Sequence, residues 1–244
     1  MPAARFVLVT TTEPTLVKNT DWRPALTAET DRLLTALPGV GDLTQPSRCE
    51  GWTRGHVLAH LARNAAGLAR AVEGHARGQA VPVYDSVEAR ADDIERGASA
   101  TPAELEHEVA TTARRLDGLL AQVDPADPTE LERVPGQVGY RLGSVPFNRL
   151  REVVLHHVDL QDGYRLEDTD PMVLEALLAD AVERLRGAKD APSLKIRSDE
   201  GDVHSIGDGQ DHVTGNRAGL LAWITRQDAS RVHADHLPTL PEEV

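Results

Sequence analysis

Thiols and aromatic rings are scarce in this chain. A single cysteine, Cys49, stands among 244 residues. That excludes an internal disulfide and any all-thiolate zinc or iron–sulfur site. Cys49 itself reads as a small residue near a helix start, with nothing beside it in sequence to activate a nucleophile. Aromatic residues make up only 3%, so a core has to be built from Leu, Val and Ala. No stretch approaches the ~18 consecutive apolar residues of a membrane-spanning helix, and no membrane partner is expected. The N-terminal apolar run VLV, residues 7–9 after Arg5, is too short for the apolar region of a signal peptide. A cytoplasmic protein is the simplest reading. Basic charge is also short: 26 Lys and Arg face 39 Asp and Glu, a net charge of -13. An acidic surface disfavours nucleic acid as a partner. It leaves room for a small anionic ligand, which one or two arginines in a pocket can hold.

What remains is mostly helix. DWRPALTAETDRLLTAL, residues 21–37, spaces its leucines for one helix, and PGVGD ends it. A second helix starts near Thr53, which can cap it, and runs through RGHVLAHLARNAAGLARAVEGHA. The segment after it starts extended and turns helical around Val87. Thr101-Pro102-Ala103-Glu104 combines a capping threonine, a first-turn proline and a glutamate three residues on, which starts a helix running to about Gln122. The glycines of PGQVGYRLGS predict turns or a loop, and VPFNRLREVVLHHVDL is predicted helical in its second half. Texture changes near DGYRLEDTD, residues 162–170. Beyond it come a helix (PMVLEALLADAVERLRG), short strands in SLKIRS, DVHSI and HVTG, a helix in NRAGLLAWITRQ, and a last strand or tail. The expected organisation is a mainly α chain: a helical bundle over residues 1–163, then a small α/β domain over 164–244.

The second helix carries two histidines four apart, His56 and His60. At 100° per residue, Val57, Leu58, Leu61, Ala65, Leu68 and Val72 form one stripe. His56 falls almost opposite it, and His60 falls at its edge, close to Asn64. Glu152 and His156, also four apart, share one face of a later helix whose neighbours Val153, Val154, Leu155 and Val158 are apolar. A bare carboxylate buried there is costly, and a divalent cation removes the cost. Two imidazoles and one carboxylate suit a catalytic zinc that keeps one position open. The alternatives are that Glu152 pairs with Arg149 or Arg63 while His156 only hydrogen-bonds, or that adjacent His157 competes as ligand.

GWTRGHVLAHLARNA (51–65), YDSVEARADDIERGA (84–98), REVVLHHVDL (151–160) and, more weakly, GNRAGLLAWITR (215–226) resemble the mycothiol-dependent maleylpyruvate isomerase family, a branch of the DinB-like metal-binding bundles. The resemblance implies a DinB-like four-helix bundle followed by a small α/β domain. It implies His60, Glu152 and His156 as ligands of a divalent metal, zinc by preference, and mycothiol as thiol cofactor or cosubstrate. It also implies Arg90 and Arg226 as candidate catalytic residues. The substrate class is a small, anionic electrophile. For Arg90 the competing reading is a surface ion pair with Glu88, Asp92 or Asp93. At the last helix end the chain departs from the family pattern of glycine then arginine: it reads ITRQDAS, with Gln227 at the matching position and Arg226 one place early. That departure favours thiol addition or transfer to some electrophile as the expected reaction. Cis–trans isomerisation of maleylpyruvate is the alternative, and a non-catalytic metal- or ligand-binding protein a further one.

Overall fold

A computed structural model describes residue 14 and residues 17–241. The VLV run near the N-terminus lies outside the described residues. The chain divides into two compact units, Lys18–Arg165 and the residues from Leu166 on.

The first unit is a helical bundle. Helix α1 spans Arg23–Ala36, α2 Arg54–Ala76, α3 Val87–Ala98, α4 Pro102–Leu120 and α5 Val145–Asp159. Helix α2 is central, packing on α4, α3 and α5, while α1 packs on α5 and α4. The start of α2 is set by a capping box with an unusual partner. Thr53 accepts from the His56 backbone N–H, and His56 Nδ1 accepts from the Thr53 backbone N–H at 3.2 Å. Helix α4 starts with the expected Thr101–Glu104 box and Pro102 in its first turn. Small residues let α2 approach its neighbours. A Cβ on Gly67 would lie 2.5 Å from the Val83 carbonyl oxygen, and one on Gly97 of α3 would lie 2.9 Å from the Ala59 Cβ.

The structure corrects two expectations here. The stretch predicted as a loop is an antiparallel hairpin, β1 (Glu130–Val134) and β2 (Gln137–Arg141). Its turn uses Gly136 at φ 77°, as the glycine content suggested. Gly139, however, sits inside a strand, where a Cβ would be 2.5 Å from the Arg133 Cβ, so it serves close backbone approach rather than a turn. The hairpin pins residues 83 and 84: Val83 N–H donates to Glu132 O at 2.9 Å and Tyr84 N–H to Arg133 O at 2.8 Å. Helix α5 is helical from Val145, not only in its second half, because Pro146 occupies the first turn, where it lacks no needed donor.

The second unit holds α6 (Pro171–Gly187), β3 (Leu194–Ser198), β4 (Val203–Ile206), β5 (Asp211–Gly215), α7 (Arg217–Arg226) and the two-residue β6 (Val232–His233). The sheet order is β4-β3-β5-β6, with β3 and β5 parallel and the other pairs antiparallel. Alternation along β3 buries Leu194 and Ile196. With Val213, Leu177, Val182, Leu185, Leu220 and Trp223 they are part of this unit's buried core. Arg217 grips both Asp202 oxygens, at 2.6 and 2.9 Å, and Glu175 of α6 at 2.8 Å. The chain is thus mainly helical, a DinB-like bundle followed by a small α/β domain. Among the described residues no helix is long and apolar enough to cross a membrane.

Candidate metal centre

Helices α2 and α5 bring His60, Glu152 and His156 together. His60 Nε2 lies 2.9 Å from Glu152 Oε2, and His156 Nε2 lies 3.4 Å from the same oxygen. One donor atom from each of the three residues falls within 4.8 Å of the others. Two donors each about 2.0–2.1 Å from a tetrahedral zinc stand roughly 3.3–3.4 Å apart. Two of the three donor pairs therefore stand near the spacing that a zinc-sized ion requires. Both histidines are buried, at 2% and 4% exposure, while the Glu152 side chain keeps 18%, so the centre opens to solvent on the carboxylate side.

The electrostatics also suit a cation. Burial is the main force that lowers His60 to a pKa of about 3; its hydrogen bond to Glu152 opposes this, and the positive charges of His156 and Arg90 add to it. His60 is therefore neutral, as a ligand must be. Burial acts against the Glu152 carboxylate, but hydrogen bonds from His156 and His60 outweigh it and hold its pKa well below the usual value. Burial likewise opposes charge on His156. Hydrogen bonds with Asp159, Cys49 and Glu152 overcome it and raise His156 well above an ordinary histidine. The two histidines differ because only His156 has a second carboxylate behind it: its Nδ1 is 2.8 Å from Asp159 Oδ2. A metal bound to Nε2 would take over the role of the His156 proton in balancing Glu152.

Arg149 donates to Asn64 Oδ1 at 2.8 Å, and Arg63 pairs with Glu108; Glu152 meets the histidines instead. His157 turns to another side of α5, stacked on Tyr164 at 4.0 Å with Nε2 3.0 Å from Asp162. His56 caps α2 and reaches Glu95 at 3.1 Å. Arg90 is buried, with Nη2 3.3 Å from His60 Nδ1 and its guanidinium 5.5 Å from the Tyr84 ring centre. Arg226 belongs to the second unit, where it ends α7 and donates to the Thr225 carbonyl at 2.7 Å. Gln227 after it takes the left-handed conformation, φ 55°.

Three neighbours of the centre escaped the sequence reading. Asp159, fully buried, fixes His156; its i,i+3 spacing from His156 was the available signal. Cys49 reaches the same carboxylate, Sγ donating to Asp159 Oδ2 at 3.1 Å, because Arg48 N–H anchors its loop to the Asp159 carbonyl at 3.0 Å. Cys49, His156 and Asp159 form a second compact donor group. Trp52 lies against both histidine rings of the cluster, 5.5 Å from His60 and 6.3 Å from His156 between ring centres. Only its position directly before the helix cap hinted at this.

Bundle and donor set together define the class: a DinB-like helical protein with a two-histidine, one-carboxylate cluster. The comparisons with known proteins are more particular. The family model for the mycothiol maleylpyruvate isomerase N-terminal domain matches residues 23–161, and the chain belongs to that family, which is named for an enzyme. A crystal structure of the mycothiol-dependent maleylpyruvate isomerase superposes with a TM-score of 0.82 at 24% identity, covering 91% of this chain and 95% of that one. A histidine-to-alanine mutant structure of the mycothiol-dependent maleylpyruvate isomerase gives 0.81 at 23% identity, with the same 91% and 95% coverage. These two likenesses are of fold. No curated protein matches by sequence.

Proposed function

We propose that the protein is a cytoplasmic, zinc- and mycothiol-dependent cis–trans isomerase whose substrate is maleylpyruvate or a close unsaturated diacid. The observation that carries this reading is the His60–Glu152–His156 cluster inside a chain of the isomerase family. His60 and His156 would hold the metal through Nε2 and Glu152 through Oε2. When bound, zinc would lower the pKa of a thiol, and mycothiol would supply a thiol nucleophile for the cis double bond.

The protein's own groups supply the rest. Asp159 keeps the His156 ring turned so that Nε2 faces Glu152. Trp52 covers one side of both rings and limits water there. Arg90 places a positive charge beside the cluster, where it suits a substrate carboxylate. Arg226 is proposed as a further catalytic residue, as the family resemblance implies. A second reading, transfer of the thiol to another electrophile, is favoured by one feature: Gln227 stands where the family pattern has arginine.

The test is conversion of maleylpyruvate to fumarylpyruvate by the zinc-loaded protein with and without mycothiol. Thiol-dependent conversion that disappears in His60→Ala is the expected result. Thiol consumption by alkylating electrophiles without conversion selects the transfer reading. No dependence on thiol in either assay overturns both.

A further inference from the structure

The two histidines of the cluster are not equally ready for a metal. His156 Nδ1 faces an acceptor, the Asp159 carboxylate at 2.8 Å, so a proton on Nδ1 is stabilised and Nε2 is directed to the cluster. His60 Nδ1 faces a donor, Arg90 Nη2 at 3.3 Å. A guanidinium carries only N–H donors and has no lone pair to offer. Nδ1 must therefore present its lone pair to Arg90, and the ring's single proton sits on Nε2, where Glu152 Oε2 accepts it at 2.9 Å. That is the tautomer in which Nε2 has no lone pair free for a metal.

A neutral imidazole that ligates through Nε2 has the reverse arrangement, with its proton on Nδ1. Against Arg90 this sets donor toward donor. Repulsion between the guanidinium and a divalent cation acts in the same direction. Resting on the zinc reading above, we propose that Arg90 is a latch on the metal-free site: Arg90 and the metal compete for His60, and metal loading displaces the guanidinium from Nδ1. On loading, Nε2 releases its proton to water and Nδ1 takes one up, so the ring stays neutral and no net proton is gained. Arg90 keeps its place beside the Tyr84 ring and becomes available to a carboxylate only when the metal is present. Capture of metal and capture of anion are then coupled, and the coupling is reciprocal.

The latch makes an unusual prediction: removing a buried residue that touches a ligand should strengthen metal binding. Zinc affinity is measured by chelator competition in the wild type, Arg90→Met, Arg90→Gln and His60→Ala, with and without fumarate as a weakly chelating dicarboxylate probe. Both Arg90 variants should bind zinc about tenfold tighter than the wild type. Arg90→Gln, whose amide oxygen can accept from Nδ1–H, should be at least as tight as Arg90→Met. Fumarate should tighten zinc binding in the wild type and not in Arg90→Met. Nitrogen-15 imidazole spectra of the wild type should place the His60 proton on Nε2 without zinc and on Nδ1 with it. Unchanged or weaker zinc binding in both Arg90 variants, or a His60 proton already on Nδ1 in the metal-free protein, overturns the latch alone, provided His60→Ala abolishes zinc. Stoichiometric zinc retained by His60→Ala overturns the metal-centre reading beneath it.

Discussion

Asp159 shows how much of this cluster depends on residues behind its three donors. It is fully buried and accepts from both His156 and Cys49. Replacing it by Asn keeps the shape and removes the charge that orients the ring. Asp159→Asn should weaken zinc binding by about 10- to 100-fold, measured by chelator competition. Cys49→Ala should leave one zinc per chain; loss of the ion in that variant would move it to the Cys49–His156–Asp159 group. The clustering of Glu152 with His156 was legible because i,i+4 spacing puts side chains on one face whatever the tertiary fold. His60 and His56 were separable for the same reason. Arg90 read equally as a site residue and as a surface ion-pair residue, since Glu88, Asp92 and Asp93 are its neighbours in sequence while His60 is its neighbour in space. Cys49 and Trp52 could not be placed, because their contacts depend on how the loop before α2 meets the end of α5.

At the level of elements, helix starts were the readable features. Thr53 and Thr101, the two caps read from the sequence, each accept a backbone N–H at the start of a helix; Ser86, Asp170 and Asn216 do the same without having been singled out. The hairpin was not readable, because its glycines signal turns equally well and its pairing with residues 83–84 is nonlocal. That pairing makes Gly67 a sensitive position. Any side chain there meets the Val83 backbone, held in place by the hairpin rather than free to yield. Gly67→Ala should destabilise the bundle by about 1–3 kcal/mol through overpacking, despite alanine's better helix propensity. Equilibrium urea unfolding measures it; a stabilised variant would show that residues 83–84 move away easily.

For the whole molecule, the two units should answer to different perturbations. Zinc stabilises what it binds, so loading should raise the unfolding temperature of the bundle. Acid should act on the second unit through Asp202. The Arg217 guanidinium first, against the cost of burial, and then Ser198 hold the Asp202 pKa at about 2, below the usual 3.8. Because the folded value is the lower one, the stabilisation is complete above about pH 4 and is lost as pH falls toward 2. Its size is about 2 kcal/mol, for a side chain only 15% exposed. The stability difference between wild type and Asp202→Asn should therefore be near this value at pH 7 and shrink toward zero near pH 2. A difference that stays constant across that range would assign the effect to packing rather than charge.

Of the three tryptophans, Trp22 and Trp223 are buried at 2% exposure, and Trp52 is the half-exposed one, against the rings of His60 and His156. A protonated imidazole in contact with an indole quenches its emission. On the zinc reading proposed above, Trp52 would act as a built-in optical indicator of metal loading. Zinc that displaces the His156 proton should brighten and shift the Trp52 fluorescence in proportion to occupancy, and Trp52→Phe should abolish the response while leaving zinc stoichiometry unchanged.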